Sequence, residues 1–224
     1  MLILSLLDQI RTDPLNGYAS LVGLALALVF GISFHEFSHA FTAYRLGDQT
    51  PRYQGRVTLN PAAHLDPVGM LFFAIGGFGW GRPVNFNPYA IRMNPRIGSG
   101  LVAFAGPLSN MLLGLVVGLV VRLLLLVETS GPSNPVFIFV VLTLGNFVFY
   151  NFLLAVFNLV PLPPLDGSKI LPALLPPDMA YKLEQFYAQV GMIALLLLFV
   201  VMYYGGATFI DEPVNALFRL VTGI

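Results

Sequence analysis

Four stretches of the chain, residues 18–46, 98–127, 135–160 and 186–204, are apolar almost without interruption. Each approaches or exceeds the ~20 residues that carry a helix across a hydrocarbon core at ~1.5 Å rise per residue. Four membrane-spanning helices are therefore predicted. A fifth apolar stretch, residues 68–80, is shorter and is interrupted by Gly76, Gly77 and Gly79, so it is expected to be re-entrant or interfacial. Between Gln49 and Pro95 the pattern changes again. Gly, Pro and Asn punctuate short alternating runs such as Gly55-Arg-Val-Thr-Leu59 and Arg82-Pro-Val-Asn-Phe86, which predict short strands at the membrane surface.

These patterns define an all-α polytopic membrane protein with about four transmembrane helices, a re-entrant or interfacial segment and short surface β-strands. No internal repeat or stretch long enough for a separate soluble domain is present, so residues 1–224 are read as one membrane-embedded domain. Composition agrees: 57% of the 224 residues are hydrophobic and 10% charged, against roughly 25% charged in an average soluble domain. The apolar Met1 to Leu7 lacks the basic flank and small-residue cleavage site of a signal peptide and is expected to be an interfacial foot.

Charge adds orientation. Arg45, Arg52, Arg56, Arg82, Arg92 and Arg96 follow the first span, and Lys169 and Lys182 follow the third, whereas the opposite side holds Arg11, Arg122 and Arg219. Short cytoplasmic loops carry the excess of Lys and Arg, so the first and third spans are expected to end on the cytoplasmic side. The absence of an organelle-targeting segment points to a prokaryotic cytoplasmic membrane. Eleven basic against eleven acidic residues leave no basic footprint for a nucleic acid. The absence of cysteine removes disulfides, iron–sulfur ligation and thiolate catalysis.

The candidate chemistry begins at the end of the first span, where Gly31-Ile-Ser-Phe-His35-Glu36-Phe-Ser-His39-Ala contains the pattern His-Glu-x-x-His. Residues four apart share one helix face about 6 Å apart along the axis, so His35 and His39 can point at one ion. Glu36 is the only acid in that span. A carboxylate at mid-membrane costs roughly 2.5 to 3.5 kcal/mol on insertion scales, so it is expected to have a partner or a function. Two imidazoles leave a catalytic zinc one protein ligand short, and Asp166 is the best candidate for the third. It sits in Asn158-Leu-Val-Pro-Leu-Pro-Pro-Leu-Asp166-Gly167, where prolines end the third span. Crossing parity places it on the same side as His39. An ordinary turn or cap aspartate is the competing reading.

Within the second span Gly106, Asn110, Gly114 and Gly118 recur every four residues and line one face, which for the glycines reads as close helix packing and for Asn110 is left open. His64 and Asp66, in Leu59-Asn-Pro-Ala-Ala-His64-Leu-Asp66-Pro67, read as parts of a tight turn in which Asn60 and Asp66 bond backbone. Substrate gating is their alternative role.

The chain resembles the site-2 proteases, polytopic zinc proteases that cut within or next to membrane-spanning segments of other proteins. The resemblance rests on the His35-Glu36-Phe-Ser-His39 helix, on Leu59 through Pro67, on Phe104-Ala-Gly-Pro-Leu-Ser-Asn110, and on Asn158 through Gly167. It implies one Zn2+ bound by His35, His39 and Asp166, water activation by Glu36, and a role for Asn158 in steadying the scissile carbonyl. The substrate implied is a transmembrane segment of another protein, in the lipid bilayer. The length matches a short form of the family without a PDZ or regulatory domain, and a homodimer or a regulatory membrane partner stays open. Two other readings remain: a zinc transporter using the same ligands, which would need polar residues along a path to both faces, and a catalytically silent homologue that presents membrane helices, against which an intact Glu36 argues.

Overall fold

A computed structural model describes residues 2–76, 79–128, 134–205 and 208–224. Its elements follow from a recurring dipeptide, Asn or Asp before Pro. The carboxylate or amide oxygen accepts from backbone N–H groups of the first turn, while proline fills the first helical position, where no N–H is needed. Asp13-Pro14, Asn94-Pro95 and Asn134-Pro135 open long helices in this way, with Asp13 accepting from Asn16 N at 3.2 Å, Asn94 from Arg96 N at 3.0 Å and Asn134 from Val136 N at 2.9 Å. Asn60-Pro61, Asp66-Pro67 and Asn87-Pro88 open short ones, so the expected backbone bonding of Asn60 and Asp66 is present.

The elements are α1 (Leu2–Thr12), α2 (Pro14–Leu26), a π-helical turn (Ala27–Gly31), α3 (Ile32–Arg45), α4 (Thr50–Tyr53), α5 (Pro67–Gly76), α6 (Pro95–Val127), α7 (Pro135–Asn158), α8 (Gly167–Leu174), α9 (Pro177–Gly205) and α10 (Thr208–Thr222). Three of the described helices are long and apolar enough to cross a membrane: Pro14–Arg45, which joins α2 to α3 through the π turn, α6 and α7. They coincide with the first three predicted spans, and the chain is an integral membrane protein. The fourth predicted span falls in α9, where several side chains lie outside the described residues.

The three spans pack on one another, α6 lying against both α3 and α7, and α2 against α7. The amphipathic α10 closes the far side of α6 and α7. Its Ile210, Val214 and Val221 form a buried cluster with Val148 and Phe152 of α7.

The surface strands expected at residues 55–59 and 82–86 do not form. Among the described residues the pairing is reduced to one antiparallel bridge between Leu65 and Gly81. The reason lies in the hydrogen bonds. Pro83 has no N–H to give a ladder, and the carbonyls of Arg82 and Pro83 accept instead from the Arg56 guanidinium, at 2.8 and 2.7 Å. The 10-residue α5 is too short to cross a bilayer and packs against α1. Residues 79–81 lie beside it, with the Trp80 backbone against Gly69. Of the glycine-rich stretch, Gly77 and Phe78 lie outside the described residues.

Candidate metal centre

The π turn at Ala27–Gly31 passes directly into α3, which carries His35, Glu36 and His39. Such a turn shifts the helical hydrogen-bond register and often marks a functional segment. Here the Gly31 carbonyl accepts from Asn110 Nδ2 of α6 at 3.1 Å. His35 and His39 are both buried, with ring centroids 4.6 Å apart and planes at 86°.

Each ring spends its Nδ1 on a fixed acceptor. His39 Nδ1–H donates to the Val102 carbonyl at 2.7 Å, and His35 Nδ1–H donates to Asn110 Oδ1 at 2.7 Å. In the neutral ring that leaves both Nε2 atoms as bare lone pairs.

Asp166 arrives from the far end of α7. After Asn158 the chain runs through an irregular proline segment braced by α9, whose Tyr187 hydroxyl donates to the Pro161 carbonyl at 2.6 Å. The turn into α8 requires glycine at 167, because a Cβ there would stand 2.3 Å from the Leu159 carbonyl oxygen and 2.4 Å from that of Val160. Asp166 occupies the N-cap position of α8, yet its side chain makes no capping hydrogen bond. Its Oδ2 lies instead 3.0 Å from His35 Nε2 and 3.3 Å from His39 Nε2.

This arrangement fits a metal ion. The three ligand atoms lie within 4.8 Å of one another, and the buried Asp166 Oδ2 receives no hydrogen bond among the described residues. Three converging lone pairs repel one another unless a cation sits among them. Ligand atoms about 2.0 to 2.1 Å from a tetrahedral ion are about 3.3 Å apart, which matches the separations of both imidazoles from Asp166. Two imidazole nitrogens and one carboxylate oxygen suit zinc and leave a fourth position open.

Glu36 stands outside this trio and lines a cavity of about 460 Å³ that also exposes His35, His39, Asp166 and Asn158. The rest of the wall is largely apolar, including Ile32, Leu154 and Phe157 as well as Trp80, Pro83 and Val84. Asn158 Nδ2 donates one hydrogen to the Leu154 carbonyl at 2.9 Å, and the residue lines the same cavity.

Other singled-out residues are distributed as follows. His64 is fully buried and donates from Nε2 to the Thr58 carbonyl at 2.7 Å, closing its turn, and it belongs to no metal-ligating group among the described residues. Gly114 and Gly118 fulfil the packing reading, pressed against Phe152 and Val221, but Gly106 faces the imidazoles of His35 and His39. Two groups were missed by the sequence reading. Asn151 of α7 is fully buried and accepts from Asn110 Nδ2 at 2.9 Å. A carboxamide inside a largely apolar span was the available signal, one that Asn146 shares.

Arg56 is the other. Besides Arg82 and Pro83, its guanidinium bonds the Ala63 carbonyl, tying the His64 turn to the segment that forms one cavity wall. Burial pulls its pKa below the ordinary value, opposed by the nearby Glu36 charge. Arg56→Ala is expected to lower stability by about 1 to 3 kcal/mol through the lost charge-assisted bonds, seen as earlier thermal unfolding in detergent. Unchanged unfolding would show that this wall is held by other contacts.

The comparisons with known proteins agree with this geometry. The model of peptidase family M50 matches residues 127–199. YwhC of Bacillus subtilis, described as a candidate zinc metalloprotease, is 39% identical over 183 residues, 79% of this chain and 80% of its own. Rip2 of Mycobacterium tuberculosis, described in the same terms, is 31% identical over 190 residues, 82% of this chain and 69% of its own. No solved structure matches the chain. Spanning four-fifths of a relative at that identity, and carrying the motif blocks in order, the chain belongs to peptidase family M50, the site-2 proteases, and is a membrane metalloprotease.

Proposed function

We propose that this single membrane domain hydrolyses peptide bonds within or next to transmembrane segments of other proteins, with one zinc ion held by His35, His39 and Asp166. The observation that carries the reading is the convergence of three candidate ligand atoms beside the one acid of the first span, in the lining of a largely apolar cavity. When bound, zinc would act as a Lewis acid on the scissile carbonyl and lower the pKa of water at the open position toward 7.

The chain's own groups do the rest. Glu36 takes a proton from the attacking water, whose oxygen adds to the carbonyl carbon; Glu36 then returns the proton to the amide nitrogen as the C–N bond breaks. Asn158, which lines the cavity and has a second Nδ2–H beyond its bond to the Leu154 carbonyl, is assigned to the developing oxyanion. The wall of Ile32, Leu154, Phe157 and Trp80 excludes bulk water and suits an apolar substrate segment. A substrate helix keeps its amides bonded internally, so local unwinding must precede attack, and Gly, Asn or Pro near the cut is expected to favour cleavage.

The excess of Arg and Lys at the ends of the first and third spans supports an active site toward the cytoplasmic side of a prokaryotic membrane, with the apolar stretch of α9 as a fourth span. The test is cleavage of a reporter transmembrane helix in liposomes, with bound metal measured in the same preparation. Stoichiometric zinc, loss of cleavage with chelator and its return on adding zinc are expected. Zinc-loaded protein that never cuts, across substrates with and without helix-breaking residues, would favour a transporter or a silent scaffold.

A further inference from the structure

His39 and His35 have their protons placed by different means. The acceptor on His39 Nδ1 is a backbone carbonyl, Val102 O, which can only accept and cannot turn away. The acceptor on His35 Nδ1 is one end of a carboxamide, and Asn110 turned end for end would offer an N–H there instead. His35 would then carry its proton on Nε2, facing Asp166, and could not bind a cation.

Two backbone carbonyls on two other elements prevent that reversal. Asn110 spends one Nδ2 hydrogen on the Gly31 carbonyl at 3.1 Å and the other on Asn151 Oδ1 at 2.9 Å. Asn151 is oriented in turn by donating its own Nδ2 to the Phe147 carbonyl at 2.9 Å. Reversing Asn110 would set its oxygen against two acceptors, and both amides are fully buried, so no water can relieve the conflict. The direction of the whole chain, from Phe147 O through Asn151 and Asn110 to His35, is fixed at two points, by Phe147 O through Asn151 and by Gly31 O.

We infer that Asn151, which touches neither metal ligand nor substrate, is a positioning residue that fixes the proton of His35 on Nδ1 by locking the Asn110 carboxamide, and so keeps Nε2 open for a metal ion. The inference deepens the metalloprotease reading and rests on its metal site. Three helices, α3, α6 and α7, meet in this one polar chain, so the site is held where the spans cross.

The test uses the full chain in detergent with 15N-labelled histidine, in wild type, Asn151→Leu and Asn151→Asp. The ring 15N shifts of the zinc-free protein report which nitrogen is protonated, and competition with a chromophoric chelator reports zinc affinity. In alkaline buffer, where neither ring holds a second proton, wild type is expected to show both His35 and His39 protonated on Nδ1. In Asn151→Leu, His35 alone becomes a mixture of the two forms, and zinc binding weakens about 10- to 100-fold, as for other supports of metal-bound histidine. Asn151→Asp, neutral when buried, retains an oxygen for Asn110 and a proton for Phe147 O, and keeps zinc affinity within about tenfold of wild type.

Unchanged His35 shifts and zinc affinity in Asn151→Leu overturn the inference. So does an equal disturbance of His35 and His39 in both variants with a lowered unfolding temperature, which is the mark of a purely structural amide. Wild-type protein that binds zinc but never cuts sinks the protease reading and leaves this inference standing, because neither readout requires cleavage.

Discussion

Glu36→Gln is expected to bind zinc as wild type does and to cut a reporter transmembrane helix about 10²- to 10⁴-fold more slowly, the range that general acid–base groups contribute. The three atoms placed to hold the ion are those of His35, His39 and Asp166, and Glu36 is not in that group. Glutamine has the same shape as glutamate and the same place on the cavity wall, but it cannot accept the water proton or return it to the leaving nitrogen. The loss should fall on kcat with KM little changed, since the substrate-binding wall is intact. Asp166→Asn makes the contrast. A neutral amide replaces the anionic ligand, so zinc content itself should drop, and kcat per bound zinc becomes the informative quantity. Glu36→Gln protein that has lost its zinc would make Glu36 a ligand; full activity would remove it from the chemistry.

What the sequence made legible and what it hid separate along a physical line. His35 and His39 could be paired because a helix turns a local spacing into a shared face. Asp166 could be added because three prolines and a glycine mark an irregular segment at the end of a span, and crossing parity puts it on the right side. The three matching spans were visible because apolar length is a nearly sufficient signal in a bilayer. The surface strands were over-read from their period-two pattern. Alternation says which side chains share a face, but a ladder also needs free N–H and C=O groups, and Pro83 and Arg56 remove them. Asn151 and Arg56 escaped for the opposite reason. Their partners lie 41 residues away at Asn110 and 26 or 27 residues away at Arg82 and Pro83, with no local pattern to announce them. The apolar positions of α10 do have helical spacing, yet only the packing of Ile210, Val214 and Val221 on α7 shows that this helix completes the core.

Gly106→Ala should do to the metal centre what helix propensity alone would never suggest. Alanine is the better helix former by about 1 kcal/mol, so α6 itself should not weaken. The added Cβ, however, would stand 2.4 Å from His39 Nε2, 2.5 Å from His39 Cε1 and 2.7 Å from His35 Cε1. Those distances are well inside van der Waals contact, and neither ring can swing aside while its Nδ1 stays bonded to Val102 O or Asn110 Oδ1. Either the imidazoles turn away from Asp166 or α6 moves off α3, and both outcomes open the ligand trio. Since displacements near 1 Å can cost about 10²-fold in rate, cleavage should fall by at least about that factor, with weakened zinc binding as its cause. Gly118→Ala is the control on the same helix. Its Cβ would meet Val221 Cγ1 at 2.5 Å, far from the ligands, so it should lower the unfolding temperature while leaving zinc stoichiometry intact. If Gly106→Ala instead lost stability and kept both zinc and activity, the small residue at 106 would serve only to let two helices approach, and the room for the two imidazoles would have to come from elsewhere in α6.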